Sequence, residues 1–477
     1  MNITLIHPAG SNWMPGSKDI SATANRMAPL GLLSIAAYLE QRGHSVQVLD
    51  CLGPRPPKTA QETAQRVLAA KPELIGITAT TSGFLDGYDI AASLKKEQAA
   101  IPIVFGGVHV SALGAPLLGQ FPLIDFLCMG EGEQTLAELA EGRAPADIHG
   151  LIWRDGDTIR INPPRQHLAE LDDLPFPAYE KLAGFPREYH LPLFSYVHAP
   201  GATMITSRGC PYQCSYCDRS VFQRGYRANS PEYIYAHIQH LRERFGVRHI
   251  NIYDDLFTLN RPRIEKLCTM LADKPLGVQF NCAVRVGHAD EALLGLLRRA
   301  GCLMVSLGIE SGEPALLDVH KPGVYLEAVQ DTVARIQGAG LRVKGLFMIG
   351  LPGETLASAR KTSDFALSLG LDDMNMAKFT PFHGAPIWGD IAAYGEFRED
   401  WRLMNCLNFV FRPKDIASWE TLDLLYNTHV KRFYSDPDWR RRFRSRLWQH
   451  RHSLYRLLRH LPDFLMAMRA FEPKKQP

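Results

Sequence analysis

Cys210-Pro-Tyr-Gln-Cys214-Ser-Tyr-Cys217 sets three thiols in one short loop, spaced Cys-x3-Cys-x2-Cys. Thiolates are the usual ligands of iron–sulfur iron. Three of them on one loop can hold three corners of a 4Fe–4S cube and leave the fourth iron without a protein ligand. An electron-transfer cluster would normally bring a fourth cysteine. An open iron can instead bind a small molecule through its amino and carboxylate groups. The zinc alternative asks for a second Cys-x2-Cys pair or histidines downstream, and neither follows.

A loop of this kind needs rigid elements behind it. Strand Thr203–Ser207 leads into it, and apolar runs at His249–Tyr253, Val278–Val286, Met304–Ile309, Val343–Ile349 and Met374–Phe379 read as further strands. Helical patterns lie between them at Pro231–Phe245, Pro262–Leu271, Glu291–Arg299, Leu326–Ile336 and Ala357–Leu369. The first has Ser230 as N-cap, Pro231 at its first position and Gly246 to close it. Six parallel strands predict an open, partial (β/α)6 barrel, whose active site lies at the carboxyl ends of its strands.

The N-terminal part alternates in the same way. Strands are predicted at Ile3–Ile6, His44–Asp50, Glu73–Thr81, Ile101–Gly106 and Ile124–Met129, with helices at Pro29–Arg42, Ala60–Ala70, Tyr88–Gln98 and Glu133–Glu141. This is an α/β, doubly wound, five-stranded parallel sheet of Rossmann or flavodoxin type, with ligand expected beyond the strand ends. Those ends read Thr80-Thr81-Ser82-Gly83, Gly106-Gly107-Val108-His109 and Gly130-Glu131-Gly132-Glu133. Glycines there admit a bulky ligand, and no Gly-x-Gly-x-x-Gly follows the first strand, which argues against a dinucleotide. Residues 1–142 are read as this domain, 143–200 as a linker with a hairpin around Asp155-Gly156-Asp157, 201–385 as the partial barrel, and 386–477 as a mostly helical region with a basic, aromatic tail.

Composition narrows the class of protein. The 477 residues, 46% hydrophobic and 22% charged, suit a globular multidomain protein, and a net charge of +3 makes no case for nucleic acid. Nine cysteines form no disulfide framework outside the loop, as in a reducing cytoplasm. Neither a signal peptide nor an apolar run long enough to span a membrane is expected. A cytoplasmic location is expected, with peripheral membrane contact open through the tail, where Arg440, Arg441, Arg442, Arg444 and Arg446 alternate with Trp439, Phe443 and Trp448. A packed helix with a solvated basic face is the plainer reading of that tail.

Taken together, the loop, the two α/β halves and the segments Pro29-Leu30-Gly31-Leu32, Asp254-Asp255-Leu256-Phe257-Thr258, Gly308-Ile309-Glu310-Ser311-Gly312 and Gly350-Leu351-Pro352-Gly353-Glu354-Thr355 resemble the cobalamin-dependent radical S-adenosylmethionine (SAM) enzymes over roughly residues 1–385. The resemblance implies a 4Fe–4S cluster on Cys210, Cys214 and Cys217, SAM on its open iron, and cobalamin in the first domain. It implies SAM contacts from Tyr216, Asp254, Asp255, Arg285, Glu310, Gly350 and Gly353. Cobalamin contacts are implied from Thr80, Thr81, Gly106, Gly107, His109, Gly130, Gly132 and Glu133. A structural ion pair of Arg285 with Glu310 or an aspartate is an alternative to its SAM role.

One family pattern is missing. Corrinoid proteins that ligate cobalt by histidine carry Asp-x-His-x-x-Gly, whereas this chain has Leu5-Ile6-His7-Pro8-Ala9-Gly10, with leucine where aspartate would orient the ring. His7 is therefore expected to be a loop histidine, and cobalt to lack a histidine lower ligand.

The resemblance further implies reductive cleavage of SAM to a 5′-deoxyadenosyl radical and methyl transfer through methylcobalamin to an unactivated carbon. Oxidative cyclisation of a tetrapyrrole-like substrate without methyl transfer is the first alternative. A corrinoid- or redox-sensing protein is the second. The substrate is expected to be a hydrophobic small molecule, given Phe379, Phe382 and Trp388 near the barrel mouth. An external donor such as flavodoxin or ferredoxin would reduce the cluster. No residue identifies itself as catalytic beyond the cofactor sites.

Overall fold

The computed structural model describes residues 1–10 and 20–469. Positions 11–19 of the expected first domain and 470–477 of the expected tail lie outside the described residues. Two parallel sheets organise the chain. The first contains β1 (Asn2–His7), β2 (Ser45–Asp50), β3 (Leu74–Thr78), β4 (Ile103–Gly106), β5 (Phe126–Cys128), β6 (Leu151–Asp155) and β7 (Thr158–Ile161), in the order β2-β1-β3-β4-β5-β6-β7. The five parallel strands are those the apolar runs predicted. The hairpin assigned to the linker does more than turn: β6 pairs antiparallel with β5, Leu127 opposite Ile152, and so covers an edge that would otherwise be open.

β1 is flanked by β2 and β3, so the chain reverses direction there and a crevice opens beyond the strand ends. Ile3, Leu5 and Ile6 are buried on both faces of the sheet, as helices on either side require. Gly76 in β3 has no room for a side chain: a Cβ would lie 2.7 Å from Leu5 Cδ2.

The second sheet holds β8 (Gly201–Met204), β11 (His249–Ile252), β12 (Gln279–Val284), β13 (Cys302–Glu310), β14 (Arg342–Ile349) and β15 (Asp373–Lys378), ordered β15-β14-β13-β12-β11-β8 and parallel throughout. Both edges stay unpaired with each other, so the barrel is open. Along β14, Val343, Gly345, Phe347 and Ile349 are buried against the outer helices, while the alternate residues are half-buried towards the lumen. Between β8 and β11 a short ladder of β9 (Ser207–Arg208) with β10 (Arg227–Ala228) clamps the two ends of the cysteine loop.

The third region divides. A hairpin of Gly395–Phe397 with Phe411–Pro413 packs near the strands' carboxyl ends, where Phe379 and Phe411 stack edge to face. Helix Trp419–Ser435 then runs down the barrel's side, and Tyr434 donates to Met374 O at 2.9 Å. Helices Pro437–Arg446 and Arg451–Arg459 lie at the opposite end, with Trp439 Nε1 donating to Asp372 O at 3.0 Å and His450 meeting Arg342 at the start of β14. The basic-aromatic stretch thus packs one side on the barrel foot, while Trp448 stays 85% exposed. Among the described residues no helix is long and apolar enough to cross a membrane.

Candidate functional site

The cysteine loop can close only because Gly209 is a glycine. Its φ is +87° and a Cβ there would stand 2.0 Å from Gly225 O. Cys210, Cys214 and Cys217 are free thiols, with Cys217 exposed. A hydrogen bond with Cys217, together with the charges of Lys321 and Arg285, holds the Cys214 thiol down at about 6; the same hydrogen bond drives Cys217 up. Cations beside paired thiols favour the thiolates an iron cluster takes. Three free thiols on one loop are the donor type that an iron–sulfur cluster takes.

His320 ties this loop to the next strand end. Its Nε2 lies 2.7 Å from Pro352 O and its Nδ1 2.7 Å from Ser215 Oγ. A carbonyl only accepts, so Nε2 carries the proton and the Ser215 hydroxyl donates to Nδ1. Burial lowers the His320 pKa, which keeps this neutral form.

The SAM candidates sit at the carboxyl ends of successive strands: Asp254 and Asp255 after β11, Arg285 after β12, Glu310 at the end of β13, Gly350 and Gly353 after β14. Their surroundings separate them. Asp254 is buried and accepts from Thr206 N at 2.5 Å, Thr206 Oγ1 at 2.6 Å and Ser207 Oγ at 2.7 Å. Its lone pairs are committed to the strand leading into the cysteines. Asp255 keeps surface exposure, but its carboxyl is partly desolvated where it accepts the Gly209 N–H; that desolvation and the neighbouring Asp254 charge raise its pKa.

The ion pair weighed between Arg285 and Glu310 does not form. Arg285 lies over the Tyr212 ring at 3.7 Å and donates to Pro322 O at 2.9 Å. Glu310 instead meets Lys321 Nζ at 2.8 Å. The lysine fits because residue 308 is glycine: a Cβ there would be 2.4 Å from Nζ. A register shift after Gly308 and a φ of +67° at Glu310 turn the strand end at this point. Tyr216 packs beside Leu351, Phe379 and Ile387. Gly350 and Gly353 have φ of +89° and +83°, and Gly350 N donates to Glu354 Oε2 at 2.5 Å. Glu354 is fully buried with Oε1 unpartnered, and burial pushes its carboxyl up to about 8.

The second cradle is a cavity of about 210 Å³ at the carboxyl ends of the first sheet, lined by Gly76, Gly106, Gly107, Gly130, Gly132 and Glu133 among others. At Gly132 a Cβ would lie 2.8 Å from Ile35 Cδ1, and at Gly107, where φ is +100°, 2.8 Å from Ala79 O. Apolar walls and glycine rims are surfaces that would hold an apolar part of a corrinoid closely. Cobalt within a corrin would supply the methyl-carrying chemistry. The opposite wall belongs to the barrel, through Ser207, Arg208 and Phe222. Arg208 donates to Glu131 Oε1 at 2.5 Å and Glu133 Oε1 at 2.7 Å, while Ser34 donates to the same Glu133 oxygen. Glu133 thus lines the cavity with its carboxylate engaged by the barrel.

Thr80, Thr81 and His109 do not line this cavity. Thr80 Oγ1 caps the turn at Gly83 N, and Thr81 Oγ1 meets His109 Nδ1 at 3.3 Å. His109 is 1% exposed, packed against Phe84, Trp401 and His383, and burial lowers its pKa to about 3. The C-terminal hairpin covers it, which nothing in the motif foretold. His7 also differs from expectation: its Nδ1 is 2.8 Å from Asp50 Oδ1. The carboxylate absent at Leu5 arrives from the register partner on β2, a neighbour only the sheet creates. Lys321, His320, Arg208 and Glu131 escaped sequence reasoning because their partners lie in other segments.

The fold and the two cradles define a cobalamin-dependent radical SAM architecture. Residues 204–366 match the Radical SAM superfamily and residues 17–140 the B12 binding domain. The chain is 30% identical over 417 residues to an uncharacterized methyltransferase of Pyrococcus horikoshii, covering 86% of this chain and 88% of that one. It is 26% identical over 444 residues to the anaerobic magnesium-protoporphyrin IX monomethyl ester cyclase of Rubrivivax gelatinosus, covering 91% and 77%. The structure of OxsB, a cobalamin-dependent SAM radical enzyme solved with aqua-cobalamin and SAM, superposes with a TM-score of 0.71 over 96% of this chain and 72% of that one, at 16% identity. The chain belongs to the cobalamin-dependent radical SAM enzymes. Its cofactors are a 4Fe–4S cluster, SAM and cobalamin.

Proposed function

We propose that this enzyme transfers a methyl group to an unactivated carbon of a hydrophobic small molecule. One observation supports the reading: a barrel side chain two residues ahead of the cysteine loop reaches the glycine-lined cavity of the first sheet. Arg208, just ahead of Cys210, is gripped by Glu131 and Glu133 at the rim of the glycine-lined cavity. A methyl carrier and a radical source built around one arginine can act on one substrate. When bound, cobalamin supplies a methyl carrier and the cluster the electron that cleaves SAM.

The chain's own groups position the reactants. Asp255, with free lone pairs, takes the SAM ammonium, and Arg285 its carboxylate. Glu310 uses the oxygen Lys321 leaves open for the ribose hydroxyls. Gly350 and Gly353 present backbone to the adenine beside Tyr216. Phe379 is buried in packing, so an apolar substrate would meet the half-buried Met348 and Tyr216 instead. An external donor such as flavodoxin or ferredoxin supplies the electron.

Oxidative cyclisation is the second reading, favoured by the similarity to the Rubrivivax enzyme over 91% of the chain. Product ratios separate the two. Anaerobically loaded enzyme is incubated with SAM labelled at the methyl carbon, a reductant and a panel of apolar metabolites. Methylation yields S-adenosylhomocysteine and 5′-deoxyadenosine in equal amounts and label in the product. Deoxyadenosine and a new ring, with no homocysteine product, would sink the methylation reading.

A further inference from the structure

The barrel end away from Cys210 holds a second cavity, of about 610 Å³, walled by Pro200 and Gly201 at the start of β8, by residues 186–190 and Tyr196, and by helix Arg451–Arg459. Arg26, Arg187, Arg456 and Arg459 line it with the imidazoles of His190, His452 and His460. Among the described residues its one lining carboxylate is Glu188, 4.0 Å from Arg26.

Arg456 is the deepest of these cations, 7% exposed. Its Nη2 donates to Leu191 O at 2.9 Å and Ala24 O at 3.4 Å, and its Nη1 to Tyr196 Oη at 3.4 Å. None of these partners is an anion, and its Nε has no partner. Arg26 Nε is likewise buried and unpartnered. Guanidinium stays protonated at any physiological pH, so a buried one without a counter-charge is costly. Arg208, at the other end of the barrel, meets two carboxylates. Burial and the neighbouring arginines hold His190 and His452 at about 4, so at neutral pH each is a neutral ring with one N–H to offer.

We propose that this cavity binds the phosphoryl group of a phosphate-bearing ligand. Guanidiniums converge on it from three chain segments far apart in sequence, and phosphate presents acceptor oxygens on every side for such forks. The volume exceeds that of a bare phosphate, so the ligand carries more than the group itself. Both a soluble phosphorylated metabolite and a phosphate headgroup offer this chemistry. Tyr455 and Leu458, each 66% exposed on the same helix, would face the rest of either.

The test uses the full chain with its cofactor sites saturated by cobalamin and SAM. Sodium pyrophosphate is titrated by calorimetry, and in parallel the protein is sedimented with phosphatidylcholine vesicles with and without phosphatidate. Saturable pyrophosphate binding, weakened about tenfold or more by Arg456→Gln and by Arg459→Gln, assigns a soluble ligand. Sedimentation that requires phosphatidate and is lost in the same variants assigns a headgroup. Failure of both probes to bind, or binding that the variants retain, overturns the proposal. Arg459 is exposed at the lip, so its variant reports even where Arg456→Gln fails to fold.

Discussion

At the cysteine end of the half-barrel, most cations meet carboxylates: Lys321 with Glu310, Arg208 with Glu131 and Glu133, Arg227 again with Glu131, while Arg285 rests on the Tyr212 ring. At the foot, Arg26, Arg187, Arg456 and Arg459 share one lining carboxylate among the described residues. The difference shows what each end has been built to hold. A matched network is rigid and electrically near neutral, so it can orient thiols and strand ends without attracting stray anions. An unmatched one keeps its attraction for a ligand.

Loss of one thiol tests the matched end most severely. Cys214→Ala should leave the chain folded, lower the iron bound per chain, and reduce SAM cleavage to background; iron analysis and deoxyadenosine formation report the two. Full cleavage in this variant would dismiss the loop as the cluster site.

Next comes the interdomain arginine. Arg208→Met leaves the buried Glu133 carboxylate with only the Ser34 hydroxyl, while Glu131 keeps Arg227, and loss of a buried partner costs about 3–5 kcal/mol. Urea titration should show the drop, and restoration by Arg208→Lys would be incomplete because lysine lacks the fork that reaches both glutamates.

The adjacent aspartates should then part company. Asp254→Asn loses charge-assisted hydrogen bonds at Thr206 and Ser207 and should cost about 1.5–3 kcal/mol of stability. Asp255→Asn should leave the melting temperature unchanged and weaken SAM binding about tenfold. Equal effects from both would erase the distinction drawn between them.

A smaller effect comes from Glu354. Its folded pKa, about 8, lies above the ordinary 4.5. Between those values the native state holds a proton that the unfolded state has released, so stability falls as pH rises through that window. Melting temperature should therefore decline by a few degrees from pH 5 to 8, and Glu354→Gln should flatten the decline. Smallest of all, Trp448→Ala at the foot should move stability by less than about 0.5 kcal/mol, since that ring is mostly in solvent.

Much of the architecture was legible beforehand. The strands flanking the cysteines fall within a few residues of their apolar runs, because buried parallel strands leave near-continuous Val, Ile and Leu. Helix Pro231–Phe245 begins and ends where Ser230, Pro231 and Gly246 dictate. The fate of the hairpin was less so. Asp155-Gly156-Asp157 announces a turn, yet pairing with β5 depends on an edge that exists only once the sheet has formed. The third region divided for a similar reason, since its aromatics carry no signal for which barrel end they meet.

The sequence by itself determined which atoms can do chemistry: three thiols on one loop, glycines at strand ends, carboxylates and an arginine beyond the barrel strands. Those are local facts, set by residue type and spacing. Tertiary structure decided their partners. It turned Asp254 inward and left Asp255 open, gave Glu310 to Lys321, brought Asp50 to His7, buried His109 under Trp401, and gathered four arginines around the cavity at the foot. Hydrogen bonds and ion pairs act over a few ångströms, and only folding brings residues far apart in the chain within that reach.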